Sequence, residues 1–68
     1  MNASKTKAKT YIAQLPRSCK ARFNVLFQNE IKQKIVTIMD EGSFFIVMTK
    51  DMDLYYEIKR LIPEAIGV

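Results

Sequence analysis

The chain has 68 residues, of which 49% are hydrophobic, and it carries a net charge of +4 with one cysteine and no histidine. A chain of this length forms one domain at most and buries only about 60% of the surface that its unfolded form exposes. The lack of histidine and of a glycine-rich phosphate loop argues against an enzyme. The lone cysteine excludes an internal disulfide and, without histidine, argues against zinc, so no metal and no cofactor is expected.

The composition also bears on the compartment and on self-association. The N-terminus MNASKTKAKT is basic, but no apolar stretch of signal-peptide length follows it. The longest apolar run, residues 44–48, is far shorter than the roughly 20 residues of a membrane-spanning helix. These patterns predict a cytoplasmic protein without a membrane partner. The high apolar fraction suggests a homodimer as an alternative to a monomer.

Residues 1–10 are predicted to form a basic N-terminal arm, and residues 11–68 a single small α+β domain. Residues 4–15 fit either a helix that ends at Pro16 or an arm followed by a short strand. Farther along, residues 21–28 alternate between apolar and polar side chains. This period of two predicts a half-buried strand.

The stretch IVTIMDEGSFFIVMT, residues 35–49, predicts a β-hairpin with a three-residue loop in which Gly42 forms a left-handed bulge. In that register Ile38 lies opposite Phe44. One face of the hairpin would then form the core through Val36, Ile38, Phe44, Ile46 and Met48. The other face would be half apolar and would carry Ile35, Thr37, Met39, Phe45, Val47 and Thr49.

A competing interpretation places a helix in the same region. Asn29 would be its N-cap and Gly42 its C-terminal glycine, which would give a β-α-β-α unit. The four β-branched or strand-favouring residues 35–38 count against this helix. The hairpin is therefore favoured, and the predicted fold is a three-stranded antiparallel meander flanked by an N-terminal helix or arm and a C-terminal helix.

The C-terminal helix is predicted to start after Asp51, which is a suitable N-cap, and to end at Pro63. Asp53 in its first turn suits the helix dipole, and Lys59 and Arg60 suit its end. Asp51, Asp53 and Glu57 could also suggest a magnesium site, but the helix start explains them better.

The charge is divided unevenly along the chain. Residues 1–34 contain eight basic residues and one acidic residue, a net charge of +7, whereas residues 35–68 have a net charge of −3. Such a split is typical of polyanion binding, because each phosphate that a cation neutralises releases a counterion. The predicted nucleic-acid-binding residues, for DNA or RNA, are Lys5, Lys7, Lys9, Arg17, Lys20 and Arg22. An acidic protein surface, or solubility alone, would also explain these charges.

Two further hypotheses concern the apolar residues. Phe23 and Phe27 would stack on bases if their face were open, although core packing is favoured, and one of Tyr55 and Tyr56 would be a contact residue. The alternative to nucleic-acid binding is a protein-interaction module, an adaptor or inhibitor, that associates with a partner or with itself. Its interaction face would be formed by Ile35, Phe45 and Val47.

Overall fold

The computed structural model describes residues 9–68, which form a four-stranded antiparallel sheet with helices on one side. The predicted α+β class is confirmed. In chain order the elements are β1 (Tyr11–Pro16), a 3-10 turn (Arg17–Cys19), α1 (Lys20–Leu26), α2 (Gln28–Lys32), β2 (Val36–Asp40), β3 (Phe44–Thr49), α3 (Met52–Leu61) and β4 (Ile66–Gly67). Residues 1–8, and with them most of the predicted arm, lie outside the described part.

The strands lie in the order β2-β3-β1-β4, and every neighbouring pair is antiparallel. β1 and β2 are therefore parallel with β3 between them, and β3 and β4 are parallel with β1 between them. This is the split β-α-β arrangement, also called ferredoxin-like. The predicted meander is corrected: residues 21–28 do not form a strand, and the third strand is β1, which pairs with β3 and not with β2. A topology of this kind is shared by proteins of many functions.

Residues 21–28 are helical rather than extended. Phe23 is buried in α1, four residues after the buried Cys19 and four before the buried Phe27. A spacing of four places all three side chains on one stripe of a helix. Val25, which the alternation placed on the same face as Phe23, is 68% exposed. The alternation in residues 21–28 therefore did not mark a strand. Phe23 and Phe27 belong to a helical stripe that begins at Cys19.

The helical segment ends at Lys34, which has a positive φ of 61°. The N–H of Lys34 donates to the carbonyl of Ile31 at 3.1 Å, and the N–H of Ile35 donates to the carbonyl of Glu30 at 2.9 Å. These two bonds form a Schellman motif, in which the left-handed position is usually glycine. Here a lysine takes that position.

β2 and β3 form the predicted hairpin, so the alternative helix over residues 29–42 is wrong beyond α2. The loop has two residues, Gly42 and Ser43, because the N–H of Glu41 donates to the carbonyl of Phe44 at 2.9 Å. Gly42 has a φ of 96°, and Ser43 does not have a positive φ. Glycine at the first position of a two-residue loop is the pattern of a type II′ turn.

Because this loop is shorter than the predicted one, the register of the hairpin differs from the prediction. The two faces of β3 are exchanged as a result. Ile38 pairs with Val47 and not with Phe44. Because the shift is odd, the side chains of β3 exchange faces relative to the prediction. Phe45 and Val47 are each only 1% exposed.

The core lies between the sheet and the helices. The ring of Phe23 meets that of Phe45 edge-on at a centroid distance of 5.7 Å. The sheet contributes Ala13, Leu15, Val36, Phe45 and Val47 to this core, and the helical side contributes Phe23, Phe27, Leu54, Ile58 and Ile62.

The other side of the sheet carries no helix among the described residues, and we call it the outer face. The register assigns to it the side chains of Ile12, Gln14, Pro16, Thr37, Met39, Phe44, Ile46, Met48 and Ile66. None of these side chains is charged, although 26% of the residues in the chain are charged.

α3 begins as the sequence predicts. The Asp51 carboxylate accepts a hydrogen bond from the N–H of Leu54 at 3.1 Å, which is an N-cap. Leu54 and Ile58 form its buried stripe. Glu57 accepts a hydrogen bond from Arg60 at 2.8 Å. Asp51 thus has the N-cap role that the sequence predicted, and Glu57 is paired with Arg60.

Candidate nucleic-acid interface

Arg17 and Lys20, two of the predicted phosphate contacts, surround Asp40 at the hairpin turn. Their nitrogens lie 3.5 and 3.6 Å from the carboxylate of Asp40. Arg17 also donates to the carbonyl of Gly42 at 2.8 Å, and Asp40 accepts from the N–H of Gly42 at 2.9 Å. The hydrogen bond from Gly42, together with the two cations, lowers the pKa of Asp40 below its ordinary value. These two cations therefore have a structural role in the turn.

Arg22, a third predicted contact, joins α1 to the segment after α3. Its guanidinium lies 2.8 Å from the carboxylate of Glu64 and 3.2 Å from Sγ of the buried Cys19. The hydrogen bond with Arg22 lowers the pKa of Glu64, and the same contact raises the pKa of Arg22. Half of the predicted phosphate contacts are thus paired with acidic residues of the other half of the chain.

The remaining predicted contacts are Lys5, Lys7 and Lys9. Lys5 and Lys7 lie outside the described residues. Lys9 is exposed, and its ammonium group lies 5.4 Å from the centroid of the Tyr11 ring. Because Tyr11 begins β1, Lys9 lies at the end of the sheet opposite the hairpin turn.

A cleft of about 480 Å³ opens at this end of the sheet, and two lysines line it. They are Lys34, just before β2, and Lys50, just after β3. Thr10 and Thr37 contribute hydroxyl groups to the same cleft. Lys9 lies at the same end of the sheet but does not line the cleft, and we call Lys9, Lys34 and Lys50 the lysine cluster. Lys34 and Lys50 were not selected from the sequence, although the predicted hairpin already brought the start of β2 near the end of β3.

The buried side chain of Thr49 fixes the spacing of the cleft. Its hydroxyl donates to the carbonyl of Ile35 at 3.1 Å and accepts from the N–H of Asp51 at 3.1 Å. These bonds join the residue after Lys34 to the residue after Lys50. The two backbone segments that carry the lysines are therefore linked through Thr49.

The lysine cluster is not neutralised by the described part of the chain. None of the ion pairs within residues 9–68 involves Lys9, Lys34 or Lys50. The acidic residue next to Lys50 in sequence is Asp51, and its carboxylate caps α3. The three ammonium groups of the lysine cluster therefore have no acidic partner within residues 9–68.

The core packing favoured for Phe23 and Phe27 is confirmed, because both are buried and offer no surface for bases. The predicted interaction face needs correction. Phe45 and Val47 are also buried, so they do not form an exposed interaction face with Ile35, which is 39% exposed. The register shift caused by the two-residue loop is the reason. Of the two tyrosines, Tyr56 is 56% exposed.

Comparison of the chain with protein-family models, curated proteins and solved structures gave no match. Within residues 9–68 none of the helices has the length and apolar character needed to cross a bilayer. The same residues contain no cluster of three or more potential metal ligands among histidine, cysteine, aspartate and glutamate.

Proposed function

We propose that this protein is a small, non-enzymatic regulator that binds nucleic acid through the lysine cluster, with Lys5 and Lys7 adding contacts from the N-terminal arm. The supporting observation is the backbone of Lys34. The left-handed backbone conformation is unfavourable by roughly 1–2 kcal/mol for a residue with a side chain, whereas glycine adopts it at almost no cost in free energy. A lysine in this position, at a cleft that it shares with Lys50, supports a role for its charge, and neither lysine forms an ion pair within residues 9–68.

Phosphate is the anion that fits this cleft best. Lysine ammonium groups bind phosphate as point charges, and threonine hydroxyls add hydrogen bonds to phosphate oxygens. Lys34, Lys50 and Thr37 supply both kinds of donor. Each phosphate bound also releases counterions, which favours a polymer with regularly spaced charges over a single carboxylate.

The outer face favours single-stranded over duplex nucleic acid. Met48 and Thr37 belong both to this face and to the lining of the cleft, so a strand held by its phosphates at the lysines also meets the apolar sheet. Unpaired bases expose apolar faces that pack against Phe44 or Met48. A duplex hides those faces, so it would contact the lysines alone.

The cytoplasmic location expected from the sequence stays a prediction.

The first test is fluorescence anisotropy of labelled single-stranded and duplex DNA and RNA, titrated with the protein at several salt concentrations. Two variants, Lys34→Gly and Lys50→Ala, each remove one cation of the cluster. Each should weaken binding and reduce the slope of log affinity against log salt by about 0.7 for single strands. Lys34→Gly should also raise the melting temperature, because glycine relieves the left-handed backbone.

The matched control is Lys20→Ala, which removes the same charge at the hairpin end of the sheet. That end is roughly 17 Å away along β3. Lys20→Ala should leave the slope of log affinity against log salt unchanged. Equal losses for all three variants would indicate a non-specific effect of net charge, and no binding at low salt would reject the proposed function.

The alternative function, a protein-interaction module, has independent support. The outer face is mostly apolar and carries no charged side chain, and Met39 and Ile66 on it are 46% and 62% exposed. An exposed apolar surface of this kind is typical of a contact with another macromolecule. A protein partner would bind with little response to salt, which distinguishes it from nucleic acid in the same titration.

A further inference from the structure

β2 lies at an edge of the sheet, and the pattern of its hydrogen bonds shows which backbone groups face outward. Glu41 is bonded to Phe44. From this pair the alternation of an antiparallel ladder directs the backbone groups of Thr37 and Met39 toward β3. The groups that point away from β3 are those of Val36, Ile38 and Asp40.

This alternation of inward and outward backbone groups, continued across the sheet, agrees with the backbone hydrogen bonds of β1 and β4. It directs the carbonyl of Ser43 toward β1, where the N–H of Arg17 donates to it at 3.1 Å. It directs the carbonyl of Ile12 toward β4, where it accepts from the N–H of Val68 at 3.0 Å. The backbone groups on the outward side of β2, in contrast, have no backbone partner within residues 9–68.

This edge has few of the features that prevent strands from pairing between molecules. Natural edge strands are commonly protected by lysine, proline, a bulge or a very short length. β2 has the sequence VTIMD and is paired with β3 without a bulge over all five residues. β4, at the opposite edge, has only two residues. β2 is therefore the edge that is open to another strand.

The charges at the two ends of β2 are self-complementary. Lys34 precedes the strand and Glu41 follows it, and neither forms an ion pair within the described residues. A two-fold axis through Ile38 would pair β2 with β2 of a second copy in antiparallel fashion. Lys34 of each copy would then lie opposite Gly42 of the other, one position from Glu41, so opposite charges come near each other at both ends of the paired strands.

We propose that the β2 edge binds a second copy of this chain and extends the sheet across a two-fold dimer. The pairing would form about six backbone hydrogen bonds between the copies. An interface of two short strands is small, so we expect weak association, with a dissociation constant of about 10 µM to 1 mM. Lys9 and Lys50 flank other strands and do not take part.

Charge reversal tests this dimer in sedimentation equilibrium without nucleic acid, since Lys34 is shared with the lysine cluster. The wild type should show a monomer–dimer equilibrium in the stated range. Lys34→Glu and Glu41→Lys should each raise the dissociation constant about tenfold, because each turns two attractive contacts of the dimer into repulsive ones. The double variant should restore the wild-type value.

Amide hydrogen exchange gives a second measurement on the unmodified protein. The N–H of Ile38 should become protected as the concentration rises, while that of Met39, bonded to β3, should be protected at all concentrations. A monomer up to 1 mM, or a dimer whose affinity the double variant fails to restore, would overturn the proposal. Protection of Ile38 that is independent of concentration would also overturn it, since it would show that the chain covers its own edge.

Discussion

Asp40 is the residue around which the hairpin turn is organised. It accepts a hydrogen bond from Gly42, and Arg17 and Lys20 lie within 3.6 Å of its carboxylate. The sequence showed these cations as free charges in a basic half of the chain. Only the folded structure brings Arg17 and Asp40 together, because 23 positions separate them.

Asp40 should make the stability of the protein depend on pH. Its pKa is lowered in the folded state, first by the hydrogen bond from Gly42 and then by the two cations. A lowered pKa stabilises the fold above the unfolded value near 4, and this contribution is lost as the pH falls through the folded pKa. Urea unfolding at pH 7 and at pH 2.5 should therefore show a smaller loss of stability on acidification for Asp40→Asn than for the wild type.

The control for this prediction is Glu41→Gln, which removes a neighbouring carboxylate that is not part of an ion pair within the described residues. Glu64, whose pKa is also lowered, contributes an acid-sensitive share in every variant. If Glu41→Gln reduced the acid loss as much as Asp40→Asn, the role assigned to the turn contacts of Asp40 would be wrong.

Among the elements, α1 and β3 show how far local patterns predict structure. The four-residue spacing of Cys19, Phe23 and Phe27 was present in the sequence, but a shorter alternation competed with it. In β3 the strand was predicted, while its orientation depended on the length of the turn. A single residue more or less in the loop inverts every side chain of the strand.

The orientation of β3 can be tested with two adjacent phenylalanines. Phe45 is 1% exposed and packs against Phe23, so Phe45→Ala should cost about 3–5 kcal/mol of unfolding free energy. Phe44 lies on the outer face and is only partly buried, so Phe44→Ala should cost about 1 kcal/mol or less. Urea denaturation followed by circular dichroism measures both, and the register predicted from the sequence would give the reverse order.

At the scale of the whole molecule, the described residues form one layer of helices packed on one sheet, and the core between the two layers is thin. A chain of this size is expected to be stable by only about 3–10 kcal/mol. Cys19 is the only cysteine and is 3% exposed, so its thiol reports on the opening of the fold. The layered arrangement also leaves the outer face and the β2 edge uncovered within the described residues.

The reaction of Cys19 with a thiol reagent should be roughly 100-fold or more slower in buffer than in urea, because the thiol reacts only after the structure opens. The rate, measured against urea concentration, gives the free energy of that opening. Phe45→Ala should accelerate the reaction in buffer and Phe44→Ala should change it little. A rate in buffer close to that in urea would mean that the region of α1 opens without global unfolding.

The sequence alone determined the features that depend on a few neighbouring residues. It predicted the α+β class, the strands on both sides of Gly42, the N-cap at Asp51, and the excess of positive charge in residues 1–34. Caps, turns and strand propensity act over a few positions, so they can be recognised without the fold.

The tertiary structure alone decided which charges are free and which faces are open. The lysine cluster forms because β1, β2 and β3 align their ends, and three of the predicted cations are paired because distant acidic residues meet them. Strand register and ion pairs join residues far apart in sequence, and small changes in a loop alter them. No local pattern carries that information, because the free energy that selects it comes from burying the whole core at once.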